Sequence, residues 1–211
     1  MLLPDPLLCS DSDRGSDSSS PELRAVLTTG DDSQDNTPWA LPGTLLHAGE
    51  RLSDAVLRSL RDKAGIEGLS PEQLQVFDDP NRDFRGWVLS VGHVDIVPEG
   101  ALARAFAGPK RVKLVPVANV FDGAEPLSFD HDVVVREAVQ QLRSEYAAGA
   151  DPRGLLPSPF TLRQLEDLHR AVDPATEAKD TFRRRVIGDL EATGDLSRGT
   201  VGKPARLLVH R

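Results

Sequence analysis

The residues whose types and spacing suit chemistry lie near the C-terminus, and they are cations. On a helical wheel Phe182, Val186, Ile187 and Leu190 gather on one side. Thr181, Arg184 and Arg185 point away from them. Lys179 and Arg183 fall at the apolar edge, where long stems can carry charge out toward phosphates. Beyond Thr193–Gly194, where this helix is expected to end, Arg198, Lys203 and Arg206 are spaced along a turn and a strand. Such a set suits double-stranded DNA. An α-helix fits the major groove, and an arginine fork can donate two hydrogen bonds to guanine. Cations on a hairpin can meet phosphates and set register. The plainer alternative is a helical appendage with a solvated arginine face.

The elements around these cations have clear local signals. Thr161 with Gln164 three residues on forms a capping box, and Phe160 with Leu165 forms a hydrophobic staple. Leu162, Leu165, Leu168 and Val172 make one stripe, which Asp173–Pro174 breaks. A second helix is expected to begin between Pro174 and Ala178. Helix, turn, helix and basic hairpin is the order of a winged helix-turn-helix. Residues 157–211 hold ten Lys/Arg against eight Asp/Glu, whereas the rest of the chain holds fifteen against twenty-five. A basic end on an acidic body is a mild pointer to an anionic partner.

The body reads as a separate domain. Residues 1–21 are expected to form a disordered tail, because the Ser/Asp-rich stretch Ser10–Pro21 cannot bury enough apolar surface to order itself. Leu23–Thr28 reads as a strand, and Gly30–Thr37 as a polar loop. A helix starts at Ser53 and stops at Gly65, with Leu52, Val56, Leu60, Leu57 and Ala64 as its apolar face. Gly86–Val97 and Arg111–Val120 read as β-rich, with a charged loop Phe77–Arg85 before them. A long helix runs from about Asp130 to Tyr146, and Gly149–Pro157 reads as a hinge.

Several function classes are set aside by composition. The single cysteine, Cys9, excludes a disulfide framework and fits a reducing cytoplasm. No apolar run suits a membrane span, and Met1–Leu8 is too short for a signal peptide. His47, His93, His131, His169 and His210 lack ligand spacing, so no metal is expected; His131 is expected to cap or orient the helix it precedes. The sequence has no P-loop, G-x-G-x-x-G or nucleophile elbow.

Trp39–Gly43 (WALPG), followed by Glu50, Arg58, Leu60, Gly65 and Ile66, resembles a Nudix box, G-x5-E-x7-R-E-U-x-E-E-x-G-U with U a large apolar residue. Thr44 stands at the first glycine, Glu50 at the first glutamate and Arg58 at the arginine. Ser59, Asp62 and Lys63 occupy the three later glutamate positions. With Asp79–Ser90 (DPNRDFRGWVLS), Leu127–His131 (LSFDH), Phe182–Arg185 and Gly202–Leu207 (GKPARL), the chain from about Leu23 onward resembles the Nudix-related transcriptional regulators of NAD metabolism, the NrtR family.

That resemblance implies an α/β fold, a Nudix-like mixed sheet flanked by helices over residues 22–153, with a winged helix-turn-helix over 154–211. It implies a homodimeric repressor of NAD biosynthesis or salvage genes, acting on a palindromic DNA operator and sensing ADP-ribose or a related NAD metabolite. Trp39, Glu50, Arg58, Asp62 and Arg85 are the expected effector contacts, with Trp39 against a ring and the arginines on phosphates. Hydrolysis is not expected, and no cofactor. Hard cations need carboxylates; Ser59 removes one and Lys63 replaces another with a cation. A Nudix hydrolase of ADP-ribose-type substrates with an accessory domain is the alternative.

Overall fold

The backbone of the body is organised on one strand, β2 (Arg24–Thr29), whose RAVLTT sequence is β-rich and buried from Ala25 to Thr28. The computed structural model describes residues 2–3, 21–29, 39–98, 112–197 and 204–211. β1 (Leu2–Leu3) pairs with Arg24 of β2; the rest of the expected tail and of the loop Gly30–Thr37 lies outside the described residues. On β2, β3 (Trp39–Ala40) pairs antiparallel at Thr28–Thr29, and β7 (Val112–Pro116) pairs over Arg24–Thr28. β6 (Val97–Pro98) completes this five-stranded sheet beside β1. β4 (Glu72–Phe77) and β5 (Ser90–Val94) form a separate antiparallel pair.

Helix α1 spans Leu52–Ser59 and continues as a π-helical turn over Leu60–Ala64, closed by Gly65 at φ 71°. A glycine suits that left-handed position because it has no Cβ to clash. The expected apolar face needs correction. Ala55, Ser59 and Ala64 are the buried positions, while Leu52 and Leu57 are exposed. Val26, Ala64 and Ile66 form a core cluster under Leu60, Leu69, Val97, Val112 and Leu114. Val117–Val120, read as strand, falls in the short helix α2 (Val117–Phe121). α3 runs over His131–Ala148 with Val135, Ala138, Val139, Leu142 and Tyr146 buried.

Contacts divide the chain into two compact units, the first within residues 24–139 and the second within residues 140–211. In the second unit the segment Gly149–Pro157 is a packed turn rather than a loose hinge: Ala150, Asp151, Leu155 and Leu156 are buried. The buried Asp151 carboxylate accepts from Tyr146 Oη at 2.7 Å and from the N–H groups of Leu155 and Leu156. β8 (Phe160–Thr161) leads into α4 (Leu162–Val172), whose capping box forms in both directions between Thr161 and Gln164. Phe160 and Leu165, the staple, are fully enclosed.

α5 covers Lys179–Val186 and ends eight residues before the expected stop at Gly194. After a 3-10 turn, Leu190–Leu196 is strand β9, paired antiparallel with β10 (Arg206–His210). β10 also pairs with β8, so the hairpin is fastened to the start of α4. Phe182, Val186 and Leu190 are buried as the helical wheel requires, but Ile187 is 42% exposed because the chain leaves the helix there.

Candidate nucleic-acid interface and ligand site

Helix α5 owes its orientation to one aromatic anchor. Phe182 is fully enclosed, its ring edge-on to His169 of α4 with centroids 4.8 Å apart. That anchoring fixes which residues face outward. Thr181, Arg183 and Arg184 are exposed. Arg184 lies along its own helix, with Nε donating to the Asp180 carbonyl and Nη2 to Thr181 Oγ1. Those contacts are long and on the surface, so the fork can swing to an external acceptor. Lys179 is exposed and lines a groove with Arg163, Glu166, Asp167 and Arg170, in which Glu166 pairs with Arg170 and Asp167 with Arg163. Arg206 is exposed on β10 opposite Leu196. Arg198 and Lys203 lie outside the described residues.

Arg185 is exposed as well, but it also makes contacts within its own unit that the other two arginines of α5 lack. Its Nε donates to Glu177 Oε1 at 2.6 Å, and Nη1 donates to the Tyr146 carbonyl at 3.1 Å. Nη2 approaches His169 Nδ1, and the guanidinium lies over the Phe182 ring. His169, 2% exposed, donates from Nε2 to the Ala150 carbonyl, which leaves Nδ1 as the acceptor for Arg185. Burial is the main reason the His169 pKa lies below its ordinary value, and the Arg185 charge adds to it. Arg185 therefore ties α5 to α4 and to the end of α3. The sequence offered no sign of this, since its partners stand 8, 16 and 39 residues away.

In the first unit the box residues are placed by Arg58. Its Nε and Nη2 grip both Glu50 oxygens at 2.7 and 2.8 Å, Nη1 donates to Thr44 Oγ1, and Nη2 also reaches the Leu45 carbonyl. That fork holds the Glu50 pKa down to about 2, with the His47 N–H as a second donor. Each nitrogen of the fork has a partner on Glu50 or on the segment Thr44–Leu45, so Arg58 shapes the loop 44–50. Trp39 sits under Lys113, whose Nζ is 5.4 Å from the ring centroid. Asp62 is exposed and pairs with Arg61. Arg85 is held by Asp83 through Nε and Nη2, with its guanidinium 4.8 Å from the Phe129 ring.

Three features here were not visible in the sequence. Arg82, buried, forks onto Asp130 at 2.7 and 2.9 Å and donates to Ser90 Oγ, fastening the loop 78–89 to the start of α3. His131 does not cap the helix; its Nδ1 accepts the Leu41 N–H at 2.9 Å. Burial is the main cause that lowers its pKa, to about 4, so this acceptor is neutral at physiological pH. Phe129 holds a left-handed backbone, φ 58°, unusual for a bulky residue, and its ring stacks on Phe84 with centroids 6.4 Å apart.

The divalent metal of a Nudix hydrolase does not fit this donor set. The Ser59 hydroxyl is buried without a hydrogen-bond partner. Both Glu50 oxygens are spent on Arg58, Asp62 faces solvent beside Arg61, and the remaining position is a lysine. Among the described residues no three His, Cys, Asp or Glu side chains gather as a metal site. A hard cation needs several oxygen donors at once.

Fold and site together define a Nudix-like α/β unit followed by a winged helix-turn-helix. No protein-family model matches the chain. The chain is 29% identical over 173 residues to the ADPR responsive transcriptional repressor NtrR of Acinetobacter baylyi, covering 80% of this chain and 68% of that protein. The crystal structure of Shewanella oneidensis NrtR complexed with a 27mer DNA aligns over 100% of this chain and 90% of its own, with TM-score 0.72 and 27% identity. The ADP-ribose pyrophosphatase of Methanocaldococcus jannaschii is 29% identical over 99 residues, 47% of this chain and 56% of that one. The chain is thus similar to NrtR proteins over most of its length, the Nudix-related group its sequence resembles. Among the described residues no helix is long and apolar enough to cross a membrane.

Proposed function

We propose that this chain is a transcriptional repressor that binds a palindromic DNA operator through α5 and the β9–β10 hairpin and responds to ADP-ribose or a related NAD metabolite. The observation that carries the reading is the likeness to a DNA-bound regulator along the whole chain. Thr181, Arg183 and Arg184 enter the major groove, with an arginine fork on guanine. Lys179 and Arg206, with Arg198 and Lys203, meet phosphates. One winged helix makes few contacts, so the chain acts as a homodimer reading two half-sites about 34–36 Å apart. The family resemblance directs the reading to genes of NAD biosynthesis or salvage, and to the cytoplasm as the place of action.

The first unit carries the effector, with Trp39, Asp62 and Arg85 near it and Glu50 with Arg58 shaping its loop. It is not a hydrolase, because the box has lost the carboxylates that would gather a metal and activate water. Gel-shift titration on a palindromic promoter fragment tests the repressor, at a stated salt concentration and against random DNA. Equal binding to both DNAs rejects it. ADP-ribose added to the complex should change its affinity. AMP released from ADP-ribose with Mg²⁺ or Mn²⁺ would support the enzyme reading, which the shorter likeness to a pyrophosphatase favours.

A further inference from the structure

Among the described residues of the second unit, Ile187 and Leu196 are the exposed large apolar side chains. A single exposed apolar residue is ordinary on a protein surface. These two, however, both stand beside outward cations. Leu196 lies across the hairpin from Arg206. Ile187 comes at the end of α5, four residues after Arg183 and three after Arg184. Its N–H still donates to the Arg183 carbonyl and its backbone is helical, so it extends the helix by one position and projects between the stems of those two arginines. Phe182, Val186 and Leu190 fill the core without it. Gly188 follows, and the space in which a side chain there would stand is open. An apolar surface therefore stays accessible on the helix face that carries the arginines.

In the major groove thymine is marked by its C5-methyl group, which the other three bases lack. An apolar side chain next to an arginine fork can thus add a second letter to the guanine that the fork reads. Isoleucine suits the task because its β-branch restricts χ1, so little rotamer freedom is lost on contact. We propose that Ile187 reads the C5-methyl group of a thymine next to the base pair met by an arginine of α5. This rests on the DNA-binding reading above and adds to it one base and the residue that contacts it. Continuity with the arginine face favours DNA, rather than a second copy of the chain, as what covers Ile187.

The test is gel-shift titration of the full chain on a palindromic promoter fragment, with random DNA as control. The fragment is also made with deoxyuridine in place of thymine, one symmetric pair of positions at a time. Deoxyuridine lacks only the C5-methyl group and keeps the base pairing. At one pair of positions the parent should bind about tenfold or more weakly, or about fourfold for each half-site, the scale of one buried methyl group. For Ile187→Ala the ratio at that pair should fall to about one, while Ile187→Val keeps most of the discrimination. Unchanged thermal melting shows that the variants are folded. A parent indifferent to every methyl group, or a folded Ile187→Ala chain that discriminates as the parent does, overturns the inference and leaves the repressor reading standing. So does loss of self-association by Ile187→Ala in sedimentation, which assigns the residue to a contact between copies. A parent that binds promoter and random DNA alike overturns the repressor reading and this inference with it.

Discussion

His131 should make the stability of the first unit depend on pH in a way that one substitution removes. Burial lowers its pKa most, opposed by the charge of Asp130; Arg82 lowers it too, Asp132 raises it, and Lys63 lowers it, leaving about 4 against an ordinary 6.5. The unfolded chain therefore takes up a proton here below about pH 6.5 that the folded chain refuses until about pH 4. Stability is full above this window and drains as pH falls through it. At about 1.36 kcal/mol per pH unit the whole window is worth about 3 kcal/mol, of which about 2 kcal/mol is gone by pH 5. His131→Asn keeps an acceptor for the Leu41 N–H and cannot titrate. Both tryptophans, Trp39 and Trp87, lie in the first unit, so urea unfolding followed by tryptophan fluorescence reports on it. Between pH 7.5 and 5 the parent should lose about 2 kcal/mol more than the asparagine variant. Every other titrating group, His169 included, is common to both and cancels. Parallel losses in the two proteins would show that His131 is solvated or protonated in the fold, and would refute the reasoning.

Arg184→Ala should weaken operator binding by about 1–3 kcal/mol in a gel shift and blur the preference at one base pair; an unchanged ratio of operator to random DNA would remove Arg184 from base readout. Arg206→Ala should lower affinity for all DNA alike and reduce the slope of log affinity against log salt by about one. Thr161→Ala, which deletes the cap of α4, should cost about 1 kcal/mol in thermal melting of the second unit. Asp151→Ala strands the Tyr146 hydroxyl and two buried N–H groups, at about 1–3 kcal/mol each, so unfolding of that unit should move by several degrees or more.

Local chemistry was legible and long-range chemistry was not. The start of α4 could be read because a capping box and a staple are written within a few residues. The stop of α1 could be read because Gly65 serves as a left-handed cap. β4 was missed because Glu72–Val76 has almost no buried face, so it lacks the alternation that marks a half-buried strand. α2 was misread because Val117–Phe121 continues a valine-rich strand sequence, and only the Pro116 kink into the helix separates them. The outward face of α5 was found from the wheel, yet the internal contacts of Arg185 were not. The wheel knows angles, and the partners that claim this arginine come from α3, α4 and the turn before α5. Arg82 with Asp130, 48 residues apart, was invisible for the same reason. At the box the substitutions Ser59 and Lys63 were plain in the sequence, but that Arg58 consumes Glu50 was not.

Three consecutive arginines in α5 look interchangeable, yet Arg185 is fixed to Glu177, His169 and the Tyr146 carbonyl. This limits how portable the helix is. Transplanting only the outward residues, Thr181, Arg183 and Arg184, onto another winged helix carries the base-facing surface but not the rivet that sets its angle. A graft that moves all of α5 without Glu177 and His169 introduces an arginine with no home, which will seek the nearest phosphate and trade selectivity for general stickiness to DNA. Engineering new operator preferences in this protein should therefore vary Thr181, Arg183 and Arg184 freely and treat Arg185 as part of the chassis.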